Sequence, residues 1–96
     1  MTGNPQRLHV LIKGHVQGVG FRAFVLEKAT RLNLTGWVRN TWDGNVEVLA
    51  EGARTDLDDL LSIINQGPRG SFIANATPEW SNALGEFTMF RVERTV

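Results

Sequence analysis

Ninety-six residues give room for one small core. Ten lysines and arginines against ten aspartates and glutamates leave no net charge. That balance argues against the broad basic surface used in non-specific nucleic-acid binding. The absence of cysteine removes disulfides, thiolate nucleophiles and cysteine metal sites from consideration.

The opening MTGNPQRL lacks the apolar centre of a secretory signal, and no apolar run approaches membrane-spanning length. A cytoplasmic chain without membrane contact is expected, forming a single domain over residues 1–96 with residues 1–6 as a flexible lead-in. The first strand is expected from Leu8 to Lys13, where Leu8, Val10 and Ile12 share one face. Gly14 to Arg22, GHVQGVGFR, then interrupts the alternation with three glycines, Gly14, Gly18 and Gly20. From Phe21 to Leu32 the apolar positions Phe21, Phe24, Val25, Ala29 and Leu32 fall at helical spacing.

Period-two alternation returns from Gly36 to Trp42. Asp43-Gly44 signals a two-residue hairpin, and a strand follows from Asn45 to Glu51, closed by Gly52. Thr55 is the expected cap of a second helix whose stripe is Leu57, Leu60, Leu61 and Ile64 and whose stop is Gly67-Pro68. Phe72 to Trp80 reads as a weaker strand interrupted by Pro78. Phe87 to Arg94 reads as a final strand, with either Phe90 and Val92 or Phe87 and Met89 inward. Glu47 and Glu51 fall at outward strand positions, while Trp42 and Trp80 are candidates to cover exposed apolar surface and Trp37 to support the open sheet face.

This order predicts an α+β fold: a ferredoxin-like βαββαβ sandwich with an antiparallel sheet, two helices on one face and a fifth short strand. The right-handed crossover makes the first two strands parallel with the third between them, so their C-terminal ends emerge at one rim, about 10 Å apart. The glycine segment leaves the first strand at that rim and opens a helix. Unpaired N–H groups and the positive end of the macrodipole, joined by the Arg22 guanidinium, make a cradle for a tetrahedral oxyanion such as a phosphoryl group. The second strand, Gly36-Trp37-Val38-Arg39-Asn40, ends its core-facing side in an amide, where a strand would favour valine or isoleucine. Asn40 as a turn residue is the simpler explanation alone; beside the cradle, a functional role is the better one.

GHVQGVGFR (Gly14–Arg22), GWVRN (Gly36–Asn40) and the DGNVEV segment from Asp43 together resemble the acylphosphatase family. A looser likeness extends through GPRGSF and GEFTMFRV. The resemblance implies hydrolysis of a carboxylic–phosphoric mixed anhydride to carboxylate and inorganic phosphate. It implies that Arg22 binds the phosphoryl group, that Asn40 holds the attacking water, and that the loop His15, Val16, Gln17, Gly18, Val19 and Gly20 supplies backbone donors. His15 stands where family members often carry arginine, which removes a positive charge. The implied enzyme needs no cofactor and no metal, and its partners are a small-molecule acyl phosphate and the phosphate product; a monomer is the expectation for a compact domain without a coiled seam.

Other functions fit less well. The loop lacks the GxxxxGK[ST] spacing of nucleotide hydrolases and the GxGxxG pattern of dinucleotide binders. His9 alternates away from the core and has no ligand cluster beside it, so it reads as a solvated strand residue. An RNA-binding module on the same fold would need GFRAFV on a central strand, whereas here it opens a helix. A non-catalytic or carbamoyl-phosphate-related module of the same family is the remaining alternative.

Overall fold

A computed structural model describes residues 3–96. The chain runs β1 (Gln6–His15), α1 (Phe21–Arg31), β2 (Thr35–Asn40), β3 (Val46–Gly52), α2 (Arg54–Gln66), β4 (Phe72–Asn82) and β5 (Phe90–Val92). The strands form one sheet in the order β4-β1-β3-β2-β5. β3 is antiparallel to both β1 and β2, so β1 and β2 run parallel with β3 between them, as the crossover rule requires.

One face of the sheet carries the core. Leu8, Val10 and Ile12 of β1, Val38 of β2 and Val46, Val48 and Ala50 of β3 are fully buried. They meet Phe21, Val25 and Ala29 from α1 and Leu57, Leu60 and Ile64 from α2 in one cluster. Each helix presents a stripe at three- and four-residue spacing that packs on the sheet, and right-handed crossovers put both on the same side. α1 covers β2 and β5, and α2 covers β3 and β4.

Several boundaries differ from the expectations, each for a tertiary reason. β1 begins at Gln6, and the Pro5 carbonyl accepts the Ala83 N–H at 3.2 Å. The expected loose lead-in is therefore tied in by its last two residues, while Met1 and Thr2 lie outside the described residues. The β2–β3 turn has three residues at its tip, because the Thr41 N–H bonds the Asn45 carbonyl and Gly44, at φ 92°, donates to the Thr41 carbonyl. Thr55 is not a cap: α2 opens at Arg54, Ala53 is the N-cap, and no side chain caps it. Arg54 instead lies 3.6 Å from the Trp80 ring and 3.2 Å from Asp58.

β4 continues through Pro78 to Asn82, because an edge strand has an unpaired side where a missing N–H costs little. β5 is shorter than expected and pairs parallel with β2, making the sheet mixed; Phe90 and Val92 occupy its helix-facing side. To reach that edge from β4, residues 83–89 cross the helix-free face. There Glu51 accepts the Leu84 and Gly85 N–H groups at 2.9 and 3.1 Å and pairs with Arg7 at 2.8 Å. Glu51 does point outward, but it is only 4% exposed beneath this strap. Burial alone pushes its carboxyl up; the Leu84 N–H, the Arg7 guanidinium and the Gly85 N–H outweigh that and hold it below the ordinary glutamate value.

The same face holds His9, 2.6 Å from Glu47, and Arg39, 2.8 Å from Glu47 and stacked 4.2 Å over Trp37. Trp80 packs against the core, whereas Trp42 is 82% exposed at the hairpin tip.

Candidate active site

The loop between β1 and α1 is pegged at both ends by apolar side chains. Val16 and Phe21 are 1% and 2% exposed, and burying each contributes about 1.5–3 kcal/mol. Phe21 also meets the Phe24 ring edge-on, with centroids 6.0 Å apart. Arg22 follows Phe21 directly, so core packing fixes the backbone that carries the guanidinium.

Glycine is required where the loop starts and where it enters the helix. Gly14 has φ 135° at a bulge between β1 and β4, and any Cβ there would run into the Phe72 carbonyl. Gly20, at φ 77°, is the N-cap of α1 and its carbonyl accepts the Phe24 N–H at 3.0 Å. No side chain caps this end and no acidic residue lies in its first turn, whereas Lys28 and Arg31 occupy the last. The positive end of the helix is left uncompensated and its first N–H groups point outward without helical partners.

Asn40, the last residue of β2, approaches from the second parallel strand. Its backbone is held on both sides: it pairs with Val46 of β3, and its carbonyl accepts the Val96 N–H at 3.2 Å. The Glu93 N–H donates to the Val38 carbonyl and the Trp42 N–H to the Val96 carbonyl, so the segment after β5 lines the strand that carries Asn40. Among the described residues, no side-chain hydrogen bond occupies the Asn40 carboxamide.

Arg22 and Asn40 line one cavity of about 380 Å³, together with Val16, Gln17, Gly18 and Gly20 of the loop, Phe21, Ala23 and Leu26 of α1, and Val92 of β5. Arg22 is the one charged group in that lining, and it forms no ion pair among the described residues. The cavity therefore offers fixed positive charge, backbone donors and a neutral amide. A dianionic tetrahedral group fits that chemistry. No group of three or more His, Asp or Glu side chains able to hold a metal ion occurs among the described residues.

Two residues of the expected loop set do not reach the cavity through their side chains. His15 is exposed as the last residue of β1, paired with Phe72, and half-buried Val19 packs on the edge of the core. Gln17 does more than a backbone donor would. Its side-chain amide donates to the Thr41 and Asn45 carbonyls, both at 2.8 Å, and so joins the loop to the hairpin that follows Asn40. No local pattern marks that clamp, because its acceptors lie 24 and 28 residues away. The wall formed by Ala23, Leu26 and Val92 was likewise hidden in helix and strand periodicity.

The chain matches other proteins over nearly all of its length. The acylphosphatase family profile covers residues 8–92. An acylphosphatase of Salinibacter ruber is 44% identical over 93 residues, spanning 97% of this chain and 98% of that one. The crystal structure of acylphosphatase from Bacillus subtilis superposes with a TM-score of 0.89 at 34% identity, covering 92% of this chain and 98% of that one. The crystal structure of full-length HypF in its phosphate- and nucleotide-bound form superposes with a TM-score of 0.87 at 30% identity. It covers 96% of this chain but only 12% of that one. With fold, loop and sequence in agreement from β1 to β5, this chain belongs to the acylphosphatase family, enzymes that hydrolyse acyl phosphates.

Proposed function

We propose that Arg22 and the backbone N–H groups of the His15–Gly20 loop bind the phosphoryl group of an acyl phosphate, and that Asn40 orients the water that attacks phosphorus. The observation that carries this reading is the shared cavity, where a guanidinium and a carboxamide that have no side-chain partner among the described residues meet the uncapped N-terminus of α1.

The chemistry asks little of the protein beyond placement and charge. Water oxygen bonds to phosphorus, the bond from phosphorus to the acyl oxygen breaks, and the carboxylate leaves with the bonding pair. A carboxylate is a weakly basic leaving group, so no strong general acid is needed, and catalysis rests on positioning and on charge stabilisation without a metal. The planar Arg22 fork matches two phosphoryl oxygens at once. An amide takes no proton at neutral pH, so Asn40 orients the water and does not act as a base. The proton of the water passes to a phosphate oxygen of the substrate itself.

The test is hydrolysis of benzoyl phosphate in chelator-treated buffer by the wild type, Arg22→Ala and Asn40→Ala. Removing Arg22 forfeits two charge-assisted bonds of about 1.5–3 kcal/mol each and is expected to abolish most activity and phosphate inhibition. Asn40→Ala is expected to lower kcat about 10²–10³-fold with little change in KM, as for loss of a positioned active-site donor. Wild-type turnover by Asn40→Ala removes its assigned role. A requirement for magnesium overturns the metal-free chemistry.

A further inference from the structure

With the loop, Arg22 and Asn40 assigned to phosphate and Phe21 buried in the core as the anchor of the loop, three residues of the cavity remain: Ala23, Leu26 and Val92. All three are apolar. Ala23 and Leu26 stand three positions apart on one face of α1, and Val92 is the last residue of β5. Val92 lies on the helix-facing side of the sheet, the side on which Phe90 is 5% exposed, yet Val92 itself is 41% exposed. A core-type position thus stays open to solvent in the lining of the pocket that Leu26 shares. The cavity of about 380 Å³ also has room beyond a four-atom phosphoryl group and lies in the size range of sites for whole small molecules.

We propose that Ala23, Leu26 and Val92 form the seat of the acyl group, so that this enzyme selects acyl phosphates whose acyl part is uncharged and apolar. The inference rests on the phosphoryl-binding role of the loop. A phosphoryl group held by the loop leaves its acyl substituent within the same cavity, where the only surface still unassigned is hydrocarbon. None of these three side chains offers a hydrogen bond or a charge to a polar or carboxylate-bearing acyl group. Such a group loses water on entering and gains no partner, whereas an aryl or alkyl group removes its own surface and that of Val92 from water.

Two measurements on the unmodified enzyme separate the inference from the reading beneath it. Inorganic phosphate, methylphosphonate and benzylphosphonate are compared as competitive inhibitors, since all present the same anion and differ in the group beside it. Benzylphosphonate is expected to bind about 5–20-fold tighter than methylphosphonate, the discrimination that a modest apolar contact supplies. The kcat/KM for benzoyl phosphate is expected to exceed that for acetyl phosphate, and succinyl phosphate to be the poorest. Equal inhibition by the two phosphonates, with acyl phosphates still hydrolysed, overturns the acyl seat and leaves the phosphoryl site standing. Failure to hydrolyse any acyl phosphate overturns both.

Variants at Val92 locate the effect. Val92→Thr keeps the shape and the β-branch, and it is expected to lower the benzoyl-to-acetyl ratio about 3–10-fold. Val92→Arg is expected to raise succinyl phosphate relative to acetyl phosphate, a gain that a folding defect does not mimic. Met89→Thr makes the same kind of change at a residue that is 58% exposed at the opposite end of β2, and it should leave both ratios unchanged. Ratios that stay fixed in both Val92 variants refute the assignment.

Discussion

Loss of the Gln17 side chain should damage both stability and turnover, because one amide joins two loops that must agree in position. Its nitrogen donates to the Thr41 and Asn45 carbonyls at 2.8 Å each, across the site from the loop to the β2–β3 hairpin. A net contribution of about 0.5–1.5 kcal/mol per bond gives about 1–3 kcal/mol for the pair. The group is half-buried, and water reaching the freed carbonyls keeps the loss of Gln17→Ala near the lower end, about 1–2 kcal/mol. In a domain of this length that lowers Tm by about 5–15 °C. The kinetic effect follows from geometry: Gly18 and Gly20 relax away from Asn40, and misplacement of donors by a fraction of an ångström to one ångström lowers kcat/KM about 10–100-fold. Thermal unfolding followed by circular dichroism, with benzoyl phosphate kinetics at a temperature where both proteins are folded, measures the two losses separately. Gln17→Glu keeps the length but turns the donor into an anion facing two carbonyls, and it should be worse on both scales. A Gln17→Ala protein with unchanged Tm and unchanged kcat/KM refutes the clamp.

Arg22→Lys keeps the charge but loses the planar fork, and kcat/KM for benzoyl phosphate should fall about 10–100-fold, the loss of one of two charge-assisted bonds; near-wild-type kinetics would show that charge alone suffices. Gly36 has φ 135° and no room for a Cβ against the Leu49 carbonyl, so Gly36→Ala should cost more than about 3 kcal/mol in urea unfolding, and a loss under about 1 kcal/mol contradicts that packing. The Glu51 carboxyl sits below its unfolded value, so its stabilisation is complete above the ordinary glutamate value of about 4.3 and fades as pH falls through the lower folded value. Glu51→Gln should therefore lose about 1–3 kcal/mol at pH 7 and converge on the wild type in acid; a pH-independent difference denies the charge a role.

Local patterns carried much of this protein. The alternation of Leu8, Val10 and Ile12, the stripe of Phe21, Val25 and Ala29, and glycines placed where the chain turns all act within a few residues. Period and chirality alone then bring the end of β1 beside the end of β2. That is why Arg22 and Asn40 were legible in the sequence as neighbours at one rim: the crossover rule is a consequence of backbone handedness, and both residues sit at strand or helix ends.

Contacts between segments distant in sequence were settled only by the folded chain. Residues 83–89 cross the open face and seal Glu51 there, which turns an apparently solvated strand charge into a buried ion pair. The same crossing sends β5 to the far edge of the sheet, parallel to β2, and leaves Val92 in the lining of the pocket. Gln17 reads as one more loop residue until the hairpin carbonyls come within reach. Periodicity records which face a residue prefers. Which distant group meets it there depends on tertiary packing, because a hydrogen bond or ion pair between remote residues leaves no repeat in the sequence.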